Sequence, residues 1–444
     1  MPSSNRRLAA AEAGRTLRTS VPRRVHAEWP ASATRTDPIE LLASEFRTLL
    51  PSLVPIRVER MAASPFAFFR GAGAVMAADI AALPTTGIEV QVCGDAHLAN
   101  FGMFATPERA LVFDINDFDE TVVGSWEWDV KRFATSVALA GRAVNHSGES
   151  TRAAIRGSVQ TYIDETHRRA QMSVLDSWYD QLKPDAILPN IDDADRAFAE
   201  GEIQRARSRT SVDLFAKMTV ATDGGPPKIA EQPPLIVGID TAKQDGVIAV
   251  LQSYRSSLPE ERRVLLDQFR LVDVAIKVVG VGSVGTHCYV ALLLDESDAP
   301  LFLQIKEARR PVWTRGRDGS HHSMHQGQRV VIGQRVMQAA ADVFLGWTSD
   351  GDVDFYVRQL ADMKRSPHLD RMSPERLALY ASLCARALAR GHARSGRVAQ
   401  VAGYIGTSST FANAIVDFAF AYADQTESDH RRFVEAVNDG HFST

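Results

Sequence analysis

Apolar residues recur at helical spacing over most of the chain, often behind a helix-start signal. Asp37 can cap a helix that takes Pro38 in its first turn, and Ser64 with Pro65 gives the same signal further on. Apolar positions then repeat every three or four residues, as on the buried face of an amphipathic helix. The helices predicted in this way cover residues 37–49, 64–80, 128–143, 151–182, 260–273, 326–344, 374–393 and 410–444.

Shorter stretches rich in Val, Ile, Leu, Phe and Tyr predict strands in two groups. The first group lies early in the chain, at residues 89–93, 101–105 and 110–115. The second group lies at residues 275–279, 287–294, 301–305 and 355–360. The pattern therefore predicts an α+β protein in which a compact strand-rich module sits inside a mainly helical chain.

The same pattern divides the chain into four parts. Residues 1–36 carry seven arginines against two glutamates and few large apolar residues, so we expect a mobile basic tail, either solvated or in contact with an acidic partner. Residues 37–272 form a predicted large lobe, mostly helical, and residues 273–365 a small β-rich lobe. Residues 366–444 are predicted to return as helices to the large lobe.

Composition excludes several classes of protein. Of the 444 residues, 45% are hydrophobic and 23% are charged, and the formal charge of −4 gives no basic field for nucleic acid. No apolar run approaches the roughly 20 residues that span a bilayer. The three cysteines are far apart, and the N-terminus lacks the pattern of a signal peptide. We therefore expect a cytoplasmic protein without disulfides that binds neither nucleic acid nor membrane.

The most informative stretch for chemistry is residues 94–129. Asp95 and Asn100 stand five apart in a loop after a predicted strand. Three further carboxylates follow a predicted hairpin: Asp114, Asp117 and Asp119. Phosphoryl transfer needs a carboxylate to take the proton of an attacking hydroxyl, and oxygen ligands to hold Mg²⁺. This stretch supplies both, although caps and turns in an ordinary acidic loop favour the same residue types.

A second stretch, residues 278–308, combines glycines with a lysine. Three glycines and a serine fall between two predicted strands: Gly280, Gly282, Ser283 and Gly285. Glycine lets backbone N–H groups close on phosphate oxygens, and Lys306 ends the next strand, where it can neutralise phosphate charge. A dinucleotide-binding fingerprint is the rival interpretation, but it needs a helix after the glycines, and residues 286–294 are strand-like.

Together the two stretches supply the parts of a kinase-type phosphotransfer site, but in reversed order. The catalytic loop precedes the nucleotide flap and its lysine, whereas an ordinary kinase chain runs the other way. A chain whose termini lie close together can be cut and rejoined at a surface loop. The sequence therefore predicts a two-lobed protein kinase-like fold that is circularly permuted.

Residues 94–129 resemble the catalytic region of aminoglycoside phosphotransferases, and the flap with its lysine resembles the small lobe of protein kinases. The chain as a whole, including residues 60–71, 327–347 and 389–396, is similar to the bacterial family known as domain of unknown function 2252. This similarity extends over nearly everything after the tail. It implies a kinase-like fold and attaches no activity by name.

The resemblance assigns roles by position. Asp95 matches the catalytic aspartate, and Asn100 matches the asparagine that ligates metal. Asp117 is preferred as the second metal ligand because the segment DFDETVVGSWEWD keeps the expected spacing from it to Asp129, whereas hairpin length favours Asp114. Asp129 itself is expected to brace the catalytic loop.

Lys306 resembles the lysine that pairs with the α- and β-phosphates, and it stands with Asp95 as a catalytic residue. The usual partner of this lysine is a glutamate on the next helix, but the predicted helix has none there. Either Glu307, Asp342 or a glutamine takes that place, or the lysine is held in another way. This departure favours an alternative function, a nucleotide-binding regulatory module or pseudokinase with little turnover.

Several basic side chains are candidate contacts to substrate or phosphate: His97, Arg60, Arg70, His392 and Arg394. His97 lies between the predicted base and the asparagine, as it does in many small-molecule phosphotransferases. Arginine matches phosphate oxygens with paired hydrogen bonds, and a surface salt bridge is the alternative interpretation for each arginine.

The sequence hypothesis is an ATP- and Mg²⁺-dependent phosphotransferase. The glycine-rich turn would cover the nucleotide, and the acceptor would be a hydroxyl of a small molecule rather than of a protein. Proteins of this fold also transfer AMP, so an adenylyl transferase is a further alternative. The sequence indicates neither the acceptor nor the oligomeric state.

Overall fold

The computed structural model describes residues 2–30, 35–188, 193–278, 280–282, 284–314, 324–360 and 363–442. The α-helices are α1 (Pro2–Thr16), α2 (Pro38–Phe46), α3 (Val54–Ala62), α4 (Pro65–Gly71), α5 (Gly73–Ala81), α6 (Trp126–Ala143), α7 (Gly148–Gln171), α8 (Val174–Tyr179), α9 (Pro184–Ile187), α10 (Asp193–Arg207), α11 (Ser211–Met218), α12 (Thr241–Arg255), α13 (Glu260–Leu266), α14 (Gln326–Met337), α15 (Pro374–Ala393), α16 (Val398–Ile405) and α17 (Thr410–Asn438). The strands are β1 (Glu89–Val92), β2 (Phe101–Ala105), β3 (Leu111–Ile115), β4 (Val122–Ser125), β5 (Thr219–Thr222), β6 (Gly225–Ile229), β7 (Ile236–Gly238), β8 (Arg270–Lys277), β9 (Cys288–Leu294), β10 (Pro300–Glu307), β11 (Gly346–Asp350) and β12 (Val353–Gln359). The protein is mixed α+β.

Local sequence explains where several helices begin. The Asp37 side chain accepts a hydrogen bond from the backbone N–H of Ile39 at 2.8 Å and caps α2. Ser64 caps α4 in the same way, by accepting from Ala67 N at 3.1 Å. The helix predicted over residues 64–80 is two helices, because Ala72 has φ −104° and ψ 37° and leaves helical geometry between α4 and α5.

A six-stranded antiparallel sheet forms the β-rich part, in the order β11-β12-β10-β9-β8-β7. Leu303 and Ile305 on one face of β10 belong to the same apolar cluster as Tyr254 of α12. On the opposite face Phe302 clusters with Met218 of α11. Side chains of both faces are therefore buried. The predicted helix 260–273 was too long, since α13 ends at Leu266 and the sheet strand β8 begins at Arg270.

The predicted catalytic region is built on two short pairs of strands and on α6. β1 pairs with β4, and β2 pairs with β3 as a hairpin. Helix α6 is buried along nearly its whole length, with Trp126 and Trp128 in the main apolar cluster. Helix α15 packs against α7 and β3 behind this region. None of the described helices is both long enough and apolar enough to cross a bilayer.

The N-terminal segment differs from the prediction of a mobile tail. Helix α1 packs against α16. The Arg35 guanidinium lies 2.7 Å from Asp79 Oδ2 and 2.6 Å from Asp429 Oδ2. Arg35, Arg7, Arg18 and Arg23 thus find acceptors on the protein body, a tertiary effect that charge counting along the sequence does not register.

Candidate active site

One cavity of about 850 Å³ is lined by both stretches that the sequence singled out. From the first stretch come Asp95, Asn100, Asp117 and Asp119, and from the second Gly280 and Gly282. Lys306 pairs with two of these lining aspartates, with Nζ 2.6 Å from Asp119 Oδ2 and 3.8 Å from Asp117 Oδ2. Segments that are 187 residues apart in the chain therefore meet at one site.

The loop that carries Asp95 is held from behind by Asp129, in the first turn of α6. The Asp129 carboxylate accepts hydrogen bonds from Cys93 N at 2.8 Å and Gly94 N at 3.0 Å. These two bonds hold the loop in the way expected of a bracing residue. Gly94 has φ +79°, and a Cβ there would collide with the backbone of Glu120, so the turn requires glycine. Asn100 Nδ2 donates to Asp95 O at 2.8 Å and closes the loop.

Asp95 has a cationic neighbour that sequence reasoning missed. Arg132 Nε lies 2.5 Å from Asp95 Oδ1, and the Arg132 side chain is almost fully buried in α6. Arg132 also donates to Phe69 O at 3.1 Å, which fixes the guanidinium. The available signal was spacing, because Arg132 follows Asp129 by three residues and so shares its face of the helix.

His97 is buried beside the same carboxylate. Its Nε2 lies 3.4 Å from Asp95 Oδ2. Burial, with the charges of Arg70 and Arg132, lowers the pKa of His97 well below its ordinary value. His97 is therefore neutral around pH 7 and can act near the cavity as a hydrogen-bonding group rather than as a cation.

The partner of Lys306 is Asp119, so of the predicted alternatives the lysine is held in another way than by Glu307, Asp342 or a glutamine. Cross-strand pairing places Lys306 beside Tyr356, and the Tyr356 hydroxyl donates to Asp119 Oδ1 at 2.6 Å. Burial alone would raise the pKa of Asp119, but Lys306 and Tyr356 outweigh it and lower that pKa to about 2. Glu307 binds His287 instead, at 2.8 Å.

The glycine-rich turn joins β8 to β9 as a hairpin. Gly280 and Gly285 have φ +24° and +103°, and strand β9 begins at Cys288. The described residues after the glycines, 284–294, therefore do not form the helix that the dinucleotide-binding alternative requires. Ser283 lies outside the described residues. Sequence reasoning missed the support of this turn by α3: buried Arg57 donates to Gly282 O at 2.6 Å.

Arg60 and Arg70, the two arginines predicted as contacts in the early helices, both lie near the cavity. Arg60 Nη1 lies 3.3 Å from Gly280 O, so it contacts the glycine-rich turn. Arg70 lines the cavity, and its buried Nε has no hydrogen-bond partner among the described residues. Burial lowers the pKa of Arg70, and the charges of Asp95 and Asp117 oppose that shift.

Three predicted site residues lie away from the cavity. Asp114 is fully buried in an ion pair with Arg390, so it is not placed as a metal ligand. His392 contacts the residue that braces the loop, with Nε2 3.1 Å from Asp129 Oδ2. Arg394 lies over the Trp178 ring at 3.7 Å from its centroid. The packing of the surrounding helices and strands places each of these side chains away from the cavity. Residue type alone cannot reveal that placement.

Comparison with known proteins identifies a family for this chain. The model of the family described as "Uncharacterized protein conserved in bacteria (DUF2252)" matches residues 47–436. The chain belongs to this family. No curated protein and no solved structure matches the chain.

The DUF2252 chain has a further carboxyl group in the cavity that sequence reasoning missed. Glu120 follows the Asp117–Asp119 segment and accepts a hydrogen bond from Val312 N at 2.6 Å. Burial raises the pKa of Glu120 to about 7, with Asp95 contributing, although the bond from Val312 and the charge of Arg329 act against the shift. The cavity therefore holds one carboxyl group that titrates near neutral pH.

This pKa makes the stability of the DUF2252 chain depend on pH. Between the ordinary glutamate pKa of 4.5 and about 7, the unfolded chain has lost the Glu120 proton and the folded protein keeps it, so stability falls as pH rises. Glu120→Gln keeps the neutral form at every pH. The unfolding free energy of this variant minus that of wild type should increase by up to about 3 kcal/mol as the pH is raised from about 5 to about 8. Urea unfolding measures both free energies. The exposed Glu261→Gln should show no such rise, and a flat difference for Glu120→Gln would contradict the assignment.

Proposed function

We propose that this DUF2252 protein is an ATP- and Mg²⁺-dependent phosphotransferase with a circularly permuted kinase-like fold, acting on a hydroxyl of a small molecule. One observation carries the proposal: Asp95, Asn100, Asp117, Gly280 and Gly282 line one cavity, and Lys306 is ion-paired with Asp119 of the same lining. These are the groups that phosphoryl transfer uses, positioned where a nucleotide and an acceptor can meet.

The geometry supports a separate role for each group. Asp95 would take the acceptor proton, and its hydrogen bond from Arg132 would keep the carboxylate in place. Gly280 and Gly282 would approach the phosphates of the nucleotide. Lys306 would carry the positive charge of the phosphate site. Arg70 Nε, which has no hydrogen-bond partner among the described residues, gives the cavity a donor for a further anionic group.

The residues present also fit a magnesium ion. Asn100 donates its Nδ2 to the backbone, which leaves its amide oxygen as a ligand, and Asp117 lines the same cavity. Among the described residues no group of three or more His, Cys, Asp or Glu side chains could hold a metal by itself. Mg²⁺ is commonly held by one or two protein oxygens together with nucleotide phosphates and water, and it would neutralise phosphate charge there.

The order of elements supports the permuted fold. The glycine-rich hairpin β8–β9, the lysine strand β10, helix α14 and strands β11 and β12 follow one another in the chain. This succession is the one that the resemblance to a kinase small lobe implies. The catalytic loop between β1 and β2 comes earlier in the chain and reaches the same cavity, so the two lobes would be joined in exchanged order.

One observation favours a second function, a nucleotide-binding module with little turnover. Both groups assigned to catalysis already have ion-pair partners. Lys306 pairs with Asp119, and Asp95 pairs with Arg132. Lys306 must exchange or share that partner before it can contact a phosphate. If this exchange is unfavourable, the protein would bind nucleotide and release it unchanged.

The test compares two aspartates of one cavity. Asp117→Asn should lower Mg²⁺-dependent ATP turnover by at least about 100-fold, because losing a ligand should exceed the roughly 10- to 100-fold cost of losing a group that only orients a ligand. Asp352 is an exposed residue at the rim of the same cavity, and Asp352→Asn should behave as wild type. The assay measures nucleotide products with a mixture of small hydroxylated acceptors.

The products separate the remaining functions. Release of ADP supports phosphoryl transfer, whereas release of AMP and pyrophosphate supports adenylyl transfer. A thermal shift with ATP and Mg²⁺ but no product supports the binding module. Neither a shift nor a product in the wild type would contradict the proposal.

A further inference from the structure

A second cavity, of about 640 Å³, lies between α1, α7 and α16, away from the candidate active site. Four arginines line it: Arg7, Arg15, Arg18 and Arg23. His167, Thr407 and Ser408 add polar groups to the lining. Among the described residues no aspartate or glutamate lines this cavity. We call it the arginine cavity.

The arginines are oriented by backbone carbonyls at the ends of helices. Arg18 Nε donates to Tyr404 O at 2.8 Å, and Arg23 Nη1 donates to Ile405 O at 2.6 Å. Arg7 Nη2 donates to Met172 O at 2.7 Å, just past α7. A guanidinium has five N–H donors, so these contacts fix each group and leave donors over. A carbonyl oxygen also carries only a partial charge and does not neutralise the arginine.

The positive charges are close enough to oppose one another. Arg18 and Arg23 both lie against Gly406, where a Cβ would be 3.0 Å from Arg23 Nη1 and closer still to Arg18 Nη2. Burial lowers the pKa of Arg18, and the charges of Arg23 and Arg15 add to the shift. Exposed Glu12 is a counter-charge to Arg15, with which it pairs at 2.8 Å. Like charges held together in a concave site favour a bound anion.

We propose that the arginine cavity binds a small phosphorylated anion with at least two negative charges, of which pyrophosphate is the simplest form. Phosphate oxygens accept the paired N–H groups of arginine, and the hydroxyls of Thr407 and Ser408 are further donors at the same wall. A concave site of this size suits a small molecule rather than an extended polymer. The arginines precede residues 47–436, the part matched by the family model, and the site does not depend on the proposed phosphotransfer.

The bound anion would also connect the N-terminal segment to the body. Arg7 and Arg15 belong to α1, whereas Thr407 and Ser408 follow α16. An anion bridging these groups binds the folded arrangement and not a detached α1, so it should protect α1 against proteolysis.

The experiment measures pyrophosphate binding to the full chain by titration calorimetry, with EDTA present to exclude magnesium. The double variant Arg7→Gln and Arg15→Gln should bind at least about tenfold more weakly than wild type, because charge-assisted hydrogen bonds are lost. The matched double variant Arg6→Gln and Arg24→Gln removes two neighbouring exposed arginines that do not line the cavity, and it should bind as wild type. Citrate, with carboxylates in place of phosphates, should bind more weakly than pyrophosphate.

Two results would overturn the proposal. One is the absence of pyrophosphate binding by the wild type at millimolar concentration. The other is equal binding of pyrophosphate by the two double variants. Pyrophosphate that binds at the active site or to general surface charge would be affected equally by either pair of substitutions. Unfolding of the free variants is followed by circular dichroism. If the lining variant does not fold, Arg15→Gln alone serves, because that side chain is 60% exposed.

Discussion

Asp95→Asn is expected to lower ATP turnover by about 10²- to 10⁴-fold, the contribution typical of a positioned general base. A carboxamide cannot take the acceptor proton, but its oxygen can still accept the hydrogen bond that Arg132 Nε gives to Asp95 Oδ1 at 2.5 Å. The loop itself is held by backbone contacts to Asp129, which the substitution leaves in place. Nucleotide affinity should therefore remain nearly unchanged while the rate falls.

Asp95→Glu controls for the charge that Asp95 provides to buried Arg132. It keeps a carboxylate but moves it by one methylene, so it should fold as wild type and still lose about 100-fold in rate through misplacement of the base. ATP affinity is measured by calorimetry and turnover by ADP release. Turnover by Asp95→Asn equal to that of wild type would remove Asp95 from the mechanism.

The parts of the site that the sequence predicts are those encoded by neighbours in the chain. Asp95 and Asn100 are five residues apart and fold into one loop, so residue type and spacing were enough to pair them. The hairpin form of the glycine-rich turn was predicted from the strand-like residues that follow it, and β9 confirms it. Long helices such as α15 and α17 were predictable because their apolar faces repeat over several turns.

The groups that sequence analysis missed are set by tertiary packing. Arg132, Arg57 and Glu120 carry no motif, and each acquires its role from a partner distant in the chain or from burial. The break at Ala72 depends on one residue leaving helical geometry, which apolar spacing does not register. Asp114 and Asp117 illustrate the limit most clearly. They have the same side chain three residues apart, and only their surroundings decide which one faces the cavity.

Asp114→Asn should destabilise the fold by about 3–5 kcal/mol, the usual effect of removing one member of a buried ion pair. Asp114 and Arg390 are both fully buried, and Arg390 Nη2 lies 2.5 Å from each carboxylate oxygen. Asp114 Oδ2 also accepts from Ala339 N at 3.0 Å, which ties β3 to the residues after α14. The substitution would leave the Arg390 charge buried without a counter-charge.

Asp117→Asn is the matched control, because it makes the same chemical change three residues away at a side chain that is 29% exposed. Its unfolding free energy in urea should stay within about 1 kcal/mol of wild type, since the pair of Lys306 with Asp119 remains. The two variants should therefore separate, with Asp114→Asn losing stability and Asp117→Asn losing Mg²⁺-dependent turnover. Adding Arg390→Met to Asp114→Asn should restore much of the lost stability, because it removes the unpaired buried charge. If Asp114→Asn instead keeps its stability and loses its magnesium dependence, Asp114 is the metal ligand and the ion pair with Arg390 does not hold in solution.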